Sequence, residues 1–289
     1  MDIKLHSLNE TYLKSFEELY IQIFGDFDNP VEHSNFRRYI MFNSHLVKIA
    51  VQFSKIIGYI IGDQNSSHKA RIFSLYVLPS FQRRQIGSDL IQLLEKEFLT
   101  RQPNLRYLSV RIPEKFFNTK DFFIKHRFHI ITKINCYEKS DLFFPYQPNP
   151  NVKIKSATKN DLRALVKLEK ICFSDYWRKT REEFREEIES KTNSLFIALL
   201  NDKLIGYNSN SISANGIEGH YARIATLPEY RKQHIATSLT VKAFQWFKKQ
   251  QVQKVLLTTF AKSNFHNEMY KRWGFKFTEQ ELIMAKHYI

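Results

Sequence analysis

The 289-residue chain repeats itself at long range, and a duplication constrains a fold more than any single motif can. DIKLHSLNETYL (2–13) aligns with NVKIKSATKNDL (151–162) at an offset of 149. Phe24-Gly25-Asp26 falls on Phe173-Ser174-Asp175, Ile57-Gly58-Tyr59 on Ile205-Gly206-Tyr207, and Leu78-Pro79-Ser80-Phe81 on Leu227-Pro228-Glu229-Tyr230. Phe128 falls on Phe275. Five matches in order, at offsets of 147 to 149, imply two copies of a domain of roughly 145 residues, a period far too long for a solenoid. The division expected is 1–143 and 151–289, joined by DLFFPYQPNPNV (141–152), whose three prolines resist helix and central strand alike.

Each copy carries the same coarse pattern. An opening strand (3–7; 152–157) precedes an amphipathic helix (9–23; 159–172) and a second helix (about 30–43; 179–190). A hairpin, a longer strand (ARIFSLYVL; GHYARIATL) and a long helix (82–98; 231–249) follow. A strand (105–111; 254–260), a short helix (118–126; 264–273) and a final strand pair are expected to close each copy. The class is α+β: in each copy a mixed central β-sheet flanked by helices, with a strand–turn–helix crossover in the middle.

Composition narrows the class of function. With 43% hydrophobic residues, 8 Gly and 8 Pro, the chain is a folded protein rather than a linker or low-complexity array. No apolar run approaches the ~20 residues that span a bilayer, and MDIKLHSLNETY is not a signal peptide. The two cysteines, Cys136 and Cys172, form no CxxC spacing, so neither a disulfide framework nor a metal site is expected, and a reducing, cytoplasmic setting fits. The formal charge of +15 suits an anionic partner, such as a phosphorylated cofactor or an acidic protein face. The basic residues are scattered through both halves rather than gathered in a tract, which speaks against nucleic acid.

The two strand-to-helix turns carry the chemistry. VLPSFQRRQIGSDLI (77–91) and TLPEYRKQHIATSLT (226–240) each end a buried strand at a proline and then open a long helix. The first amides of a helix lack internal partners, and the macrodipole adds about half a positive charge there. A pyrophosphate can use both if the backbone is approachable, which favours the small residues Gly87 and Ala236. Arg83, Arg84, Arg231 and Lys232 add charge.

At these turns the chain resembles the GNAT superfamily of N-acetyltransferases, whose pattern [QR]-x-x-G-x-[GA] follows a strand ending V-x-P. The matching residues are Gln82-Arg83-Arg84-Gln85-Ile86-Gly87, followed by Ser88, and Arg231-Lys232-Gln233-His234-Ile235-Ala236, followed by Thr237. Both depart at the first glycine, replaced by Gln85 and His234. The resemblance implies that these loops bind the pyrophosphate of acetyl-CoA. It also implies a bulged preceding strand, splayed from the next, where main-chain groups of Leu75, Tyr76 and Val77, or of Ile224, Ala225 and Thr226, hold the acetyl carbonyl. The family's general acid, a Tyr four residues before Gly-Phe, falls on Tyr270; the first copy has Phe123 there, and Arg127 in place of the glycine. A phenol with a pKa near ~10 is protonated at neutral pH and can donate. The family's pantetheine-holding Asn falls on Ser263, with Asn264 one residue off. Glu218 and His220 are both candidate bases, and water is a third option.

ICFSDYWRKT (171–180) is similar to the segment that flanks the acceptor groove in GNAT enzymes acting on protein N-termini, with Glu169, Phe173 and Trp177 as the matching residues. The first copy, IFGDFDNP, lacks the Trp. The expectation is two tandem GNAT domains, the N-terminal one degenerate and the C-terminal one an acetyltransferase acting on a protein N-terminus or lysine. A small amine such as an amino sugar stays open as acceptor, as do a non-catalytic coenzyme A- or partner-binding module and an active centre in the first copy. Tandem order with one degenerate copy also resembles bacterial effector acetyltransferases of the VipF type, from which delivery into a host cell would follow.

Overall fold

The computed structural model describes residues 3–24, 40–66, 68–213 and 216–288. The Gly25-Asp26 match, the IFGDFDNP segment beyond Phe24 and most of the expected helix at 30–43 lie outside these residues. Among the described residues no helix is long and apolar enough to cross a membrane.

The chain forms two compact units, Met1–Lys133 with Glu281–Ile289, and Ile134–Gln280. The first unit contains β1 (Lys4–Ser7), α1 (Glu10–Phe24), β2 (Val47–Gln52), β3 (Lys55–Ser66), β4 (Lys69–Val77), α2 (Ile86–Arg101), β5 (Tyr107–Pro113) and α3 (Lys120–Lys125). After β6 (His129–Lys139) the second copy repeats the series as β7 (Lys153–Ser156), α4 (Leu162–Cys172), α5 (Arg181–Glu189), β8 (Asn193–Leu200) and β9 (Lys203–Ile212). It continues with β10 (Glu218–Thr226), α6 (Ile235–Lys249), β11 (Lys254–Phe260), α7 (Asn264–Arg272) and β12 (Lys276–His287).

Sequence alternation explains how both faces of each sheet are covered. In β2 Val47, Ile49 and Val51 pack with Leu13 and Phe16 of α1, whereas Ala50 packs with Leu90 and Leu94 of α2 on the other face. In β8 Leu195 and Ile197 pack with Leu165 and Leu168 of α4, and Phe196 and Ala198 with Ile235 and Leu239 of α6. Helix starts are specified locally. Thr180 accepts from the Glu183 amide at 3.1 Å while the Glu183 carboxylate accepts from the Thr180 amide at 2.6 Å, a reciprocal cap that fixes the first turn of α5. Gly219 lets α6 approach β10 closely, since a Cβ there would lie 2.6 Å from the Phe247 ring.

The closing strands differ from the expected pairs. Each copy ends in one long strand, and the two strands are exchanged. In the first unit the sheet order is β1-β2-β3-β4-β5-β12, with Leu108 opposite Lys286, Val110 opposite Met284 and Ile112 opposite Leu282. In the second unit it is β7-β8-β9-β10-β11-β6, with Tyr137 opposite Leu257. The units therefore depart from the 1–143 and 151–289 division: residues 134–139 complete the second sheet and 281–287 the first. Burial holds the exchanged strand in place. Leu282 and Met284, at 2% and 0% exposure, belong to the core built on α2, and burying such side chains stabilises by about 1.5–3 kcal/mol each.

Candidate functional site

In each copy the central strand is interrupted at one equivalent point. The β3–β4 register steps from Ile61–Ser74 to Gly62–Ile72, so Phe73 is an extra residue in β4. The β9–β10 register steps from Asn210–Tyr221 to Ser209–Arg223, so Ala222 is an extra residue in β10. Phe73 and Ala222 are 149 positions apart. β4 pairs with β5 only over Lys69–Ile72, and β10 with β11 only over Glu218–His220. Beyond these points the parallel neighbours separate, and the main chain of 73–77 and of 221–226 faces a gap on one side. Bulges re-aim backbone groups in this way beside many active sites.

The turns that follow share one backbone. Short 3-10 turns (Pro79–Phe81; Pro228–Tyr230) lead to extended Gln82 and Arg231. Arg83 and Gln85 then have φ of 62° and 64°, and Lys232 and His234 have φ of 62° and 57°. Left-handed conformations at non-glycine residues cost on the order of 1–3 kcal/mol each, so both copies retain strain at the position where the family pattern has a glycine. Such a left-handed turn aims successive amides into one concavity. The first helical bonds run from Asp89 to Gln85 and from Ser238 to His234, leaving the amides of Ile86, Gly87 and Ser88, and of Ile235, Ala236 and Thr237, ahead of the ladder. Ile86 and Ile235 are buried and anchor the turns, while Gln82 to Gln85 and Arg231 to His234 are exposed. The Gln82 side chain caps the Val77 carbonyl at 3.0 Å, and Arg231 reaches the Thr226 carbonyl at 3.5 Å. His234 is exposed, and the donor set of main-chain amides and flanking cations fits a pyrophosphate.

The copies diverge around the turn. In the first, Phe122 closes over Gly87, where a Cβ would meet its ring at 3.2 Å, and Ser88 pairs with His126 at 3.0 Å. In the second, Ala236 and Met269 pack at the edge of an aromatic core. Tyr270 projects from α7 among Tyr137, Tyr221, Trp273 and Phe275, with ring centroids 5.7–6.4 Å away. Burial pushes its phenol pKa above the ordinary value. No hydrogen-bond partner for its hydroxyl occurs among the described residues, yet that oxygen is not one of the fully enclosed, unpartnered polar atoms. The residue is only 5% exposed, so these rings leave the hydroxyl nearly enclosed. Phe123, its counterpart, is simply core.

The residues expected on the acceptor side belong to a buried charged cluster. Glu169, fully buried on α4, accepts from the Tyr207 hydroxyl at 2.5 Å, from the Lys179 amide at 3.0 Å and from Arg223. Arg223 immediately follows the bulge. Its guanidinium also donates to the Trp177 carbonyl at 2.7 Å and lies over the Phe173 ring at 4.5 Å. Lys179 pairs with Glu187 and donates to Ser209 at 3.0 Å, and burial lowers its pKa. Trp177 meets Phe260, the last residue of β11, edge to face at 5.2 Å. The loop carrying Phe173 and Trp177 is thus tied to both separated strands. Sequence reasoning named Glu169, Phe173 and Trp177 but not Arg223 and Phe260, which the fold brings against them. The signal available was their replacement in the first copy by Ser74 and Arg111.

The remaining candidates are placed less centrally. Glu218 begins β10, where the strands are still paired, and forms an ion pair with Lys254 at 2.8 Å. That pairing holds it at the closed end of the gap, which argues against it as the base. His220 is the last paired residue, half-buried opposite Leu256. Asn264 opens α7 and, with Asn135, Tyr137, Asn267 and Lys271, lines a cavity of about 560 Å³.

Comparisons with known proteins agree with this geometry. The acetyltransferase (GNAT) family matches residues 8–118 and 162–275, which together exceed half of the chain. No curated protein is significantly similar in sequence. Among solved structures, a GCN5-related N-acetyltransferase from Sphaerobacter thermophilus is 15% identical with a TM-score of 0.68, covering 99% of this chain and 95% of its own. A tandem GNAT protein from the clavulanic acid biosynthesis pathway is 14% identical with a TM-score of 0.68, covering 99% and 98%. A glucosamine N-acetyltransferase region of a fungal multi-domain β-N-acetylglucosaminidase is 15% identical with a TM-score of 0.71, covering 98% of this chain and 38% of that one. Two family matches, one in each half, fall on two copies of the same bulge, gap and turn, and the chain belongs to the GNAT acetyltransferase family as a tandem two-domain member.

Proposed function

We propose that the C-terminal copy transfers an acetyl group from acetyl-CoA to a primary amine, with a protein N-terminus or lysine as the first choice of acceptor. When bound, acetyl-CoA supplies a thioester whose carbonyl accepts the amine and whose sulfur departs as a thiolate. Residues 231–237 would hold its pyrophosphate through main-chain amides and the charges of Arg231 and Lys232. The unpaired edge of β10 over Ile224–Thr226 supplies amides for the developing oxyanion, a preorganised arrangement worth about 2.7–4 kcal/mol per donor. Tyr270 gives its proton to the leaving sulfur. Its raised pKa keeps the phenol protonated across the physiological range. The amine must arrive neutral or lose its proton through water, with His220 the nearer of the two candidate bases to the gap.

The observation that carries this reading is the placement of Tyr270 on α7 against the ring of Tyr221, which immediately precedes the bulge, where the other copy has Phe123. Tyr270→Phe is expected to lower turnover at least tenfold while coenzyme A binding persists. Unchanged turnover would remove Tyr270 from the mechanism. The aromatic loop, Phe173 and Trp177 pinned by Arg223, supports a peptide-like acceptor. The amino-sugar alternative is supported by the fold likeness to the glucosamine N-acetyltransferase region. Labelled acetyl-CoA offered with peptides, lysine-rich proteins and amino sugars separates them. The likeness to VipF-type effectors rests on tandem order alone, and host delivery stands or falls with it.

A further inference from the structure

The segment joining the copies runs against the helices of the second one. Phe144 stacks on Phe244 of α6 at 5.1 Å and meets Trp273 edge to face at 5.3 Å, and the Tyr146 hydroxyl donates to the Arg272 carbonyl at 2.8 Å. The segment then reaches the phosphate turn itself. The Asn149 side-chain amide donates to the Gln233 carbonyl at 2.9 Å, and its backbone N–H donates to Ser238 Oγ at 2.8 Å. Ser238 Oγ, 1% exposed as a residue, in turn donates to the His234 carbonyl at 3.0 Å.

Asn149 is itself fixed from both sides. Its Oδ1 accepts from the Asn151 amide at 2.9 Å and its carbonyl from the Val152 amide at 3.2 Å, so all four of its polar groups are engaged. Pro148 and Pro150 flank it and restrict its backbone. One residue thereby holds the carbonyls of Gln233 and His234, directly and through Ser238. His234 is the residue forced into the left-handed region where the family pattern has glycine. The first copy has no equivalent of this arrangement among the described residues: Asp89 stands at the Ser238 position, and Ser88 pairs with His126 instead.

We infer that Asn149 and Ser238 form a clamp that holds the glycine-free turn 231–237 in its anion-binding conformation before the cofactor arrives. Asn149 is a positioning residue for the cofactor site, supplied by the segment between the copies. This rests on the proposed binding of coenzyme A at that turn. A strained loop left free relaxes, and the cost of restoring it on binding is subtracted from affinity.

The test is calorimetric titration of the full chain with coenzyme A, following the binding event that Ala236→Glu removes. Asn149→Ala and Ser238→Ala should each raise its Kd about tenfold and speed hydrogen exchange at the amides of 232–237. Asn149→Asp keeps the acceptor for Asn151 but loses the donor to Gln233. It should bind as weakly as Asn149→Ala if the clamp matters. Wild-type affinity and wild-type exchange in Asn149→Asp and Ser238→Ala would overturn the clamp while leaving the cofactor assignment intact. A titration of Ala236→Glu with the same stoichiometry and affinity as wild type would overturn the cofactor assignment itself, and the clamp with it.

Discussion

Arg83 and Gln85 in the first turn, and Lys232 and His234 in the second, all lie in the left-handed region with φ between 57° and 64°, yet their surroundings are unlike. The first turn is packed from one side by Phe122 and His126 and retains Gly87. The second is tied from outside by Asn149, and its copy carries Tyr270 where the first has Phe123. The contrast extends to the other face of the sheet. Glu169, Tyr207 and Arg223 in the second copy stand where the first has Tyr20, Tyr59 and Ser74. There Ser74 donates to the Tyr59 hydroxyl at 3.3 Å with no charge involved. A duplicated fold has kept the left-handed turn and the bulge in both places, and has placed the buried charge, and a tyrosine in place of Phe123, in one. Main-chain geometry is therefore a poor guide to which copy works, and side-chain chemistry is the better one.

That comparison can be broken in several places. The largest effect is expected at Arg223. Its replacement by Met leaves the Glu169 carboxylate buried without its cation, a change that typically costs about 3–5 kcal/mol. A shift of the denaturation midpoint measures it, and a midpoint near wild type would mean that the cluster is solvated and does not pin the loop. Next, Ala236→Glu should reduce acetyl transfer about a hundredfold, because a carboxylate replaces a methyl group in an anion cradle. Gly87→Glu acts on the other cradle. If Gly87→Glu abolishes transfer and Ala236→Glu spares it, the active centre belongs to the first copy. A smaller effect is expected for Phe123→Tyr, which introduces a hydroxyl into the first core at a cost of about 1–3 kcal/mol in stability and no gain in turnover. A gain would show that the first copy lacks only the acid. The smallest is Ser74→Ala, expected to change stability by no more than about 1 kcal/mol, since it removes one long, neutral hydrogen bond.

Much of this was legible in the sequence because it is carried by local pattern. The duplication, both turns and the Tyr270–Phe123 difference are short strings whose meaning does not depend on distant partners. The bulges at Phe73 and Ala222 left no such trace, since a bulge is a property of register between two strands. Arg223 was overlooked for a similar reason: it is one basic residue in a strand until Glu169, 54 positions earlier, is brought against it. Asn149 was read as part of a proline-rich connector, and its role became visible only when the connector was seen on the turn. Glu218 was misleading because a carboxylate at a strand start looks available until Lys254 is found beside it.

The exchanged strands have a consequence for biosynthesis. The first sheet uses residues 281–287 as the neighbour of β5, whereas everything else in that unit lies before residue 134. While the ribosome is still making the second copy, the edge of β5 and the apolar sites later filled by Leu282 and Met284 stand uncovered. An uncovered edge of this kind invites pairing with other chains. The half of the molecule that is synthesised first is thus finished last, and it must be kept from wrong partners for the whole time its sibling takes to emerge.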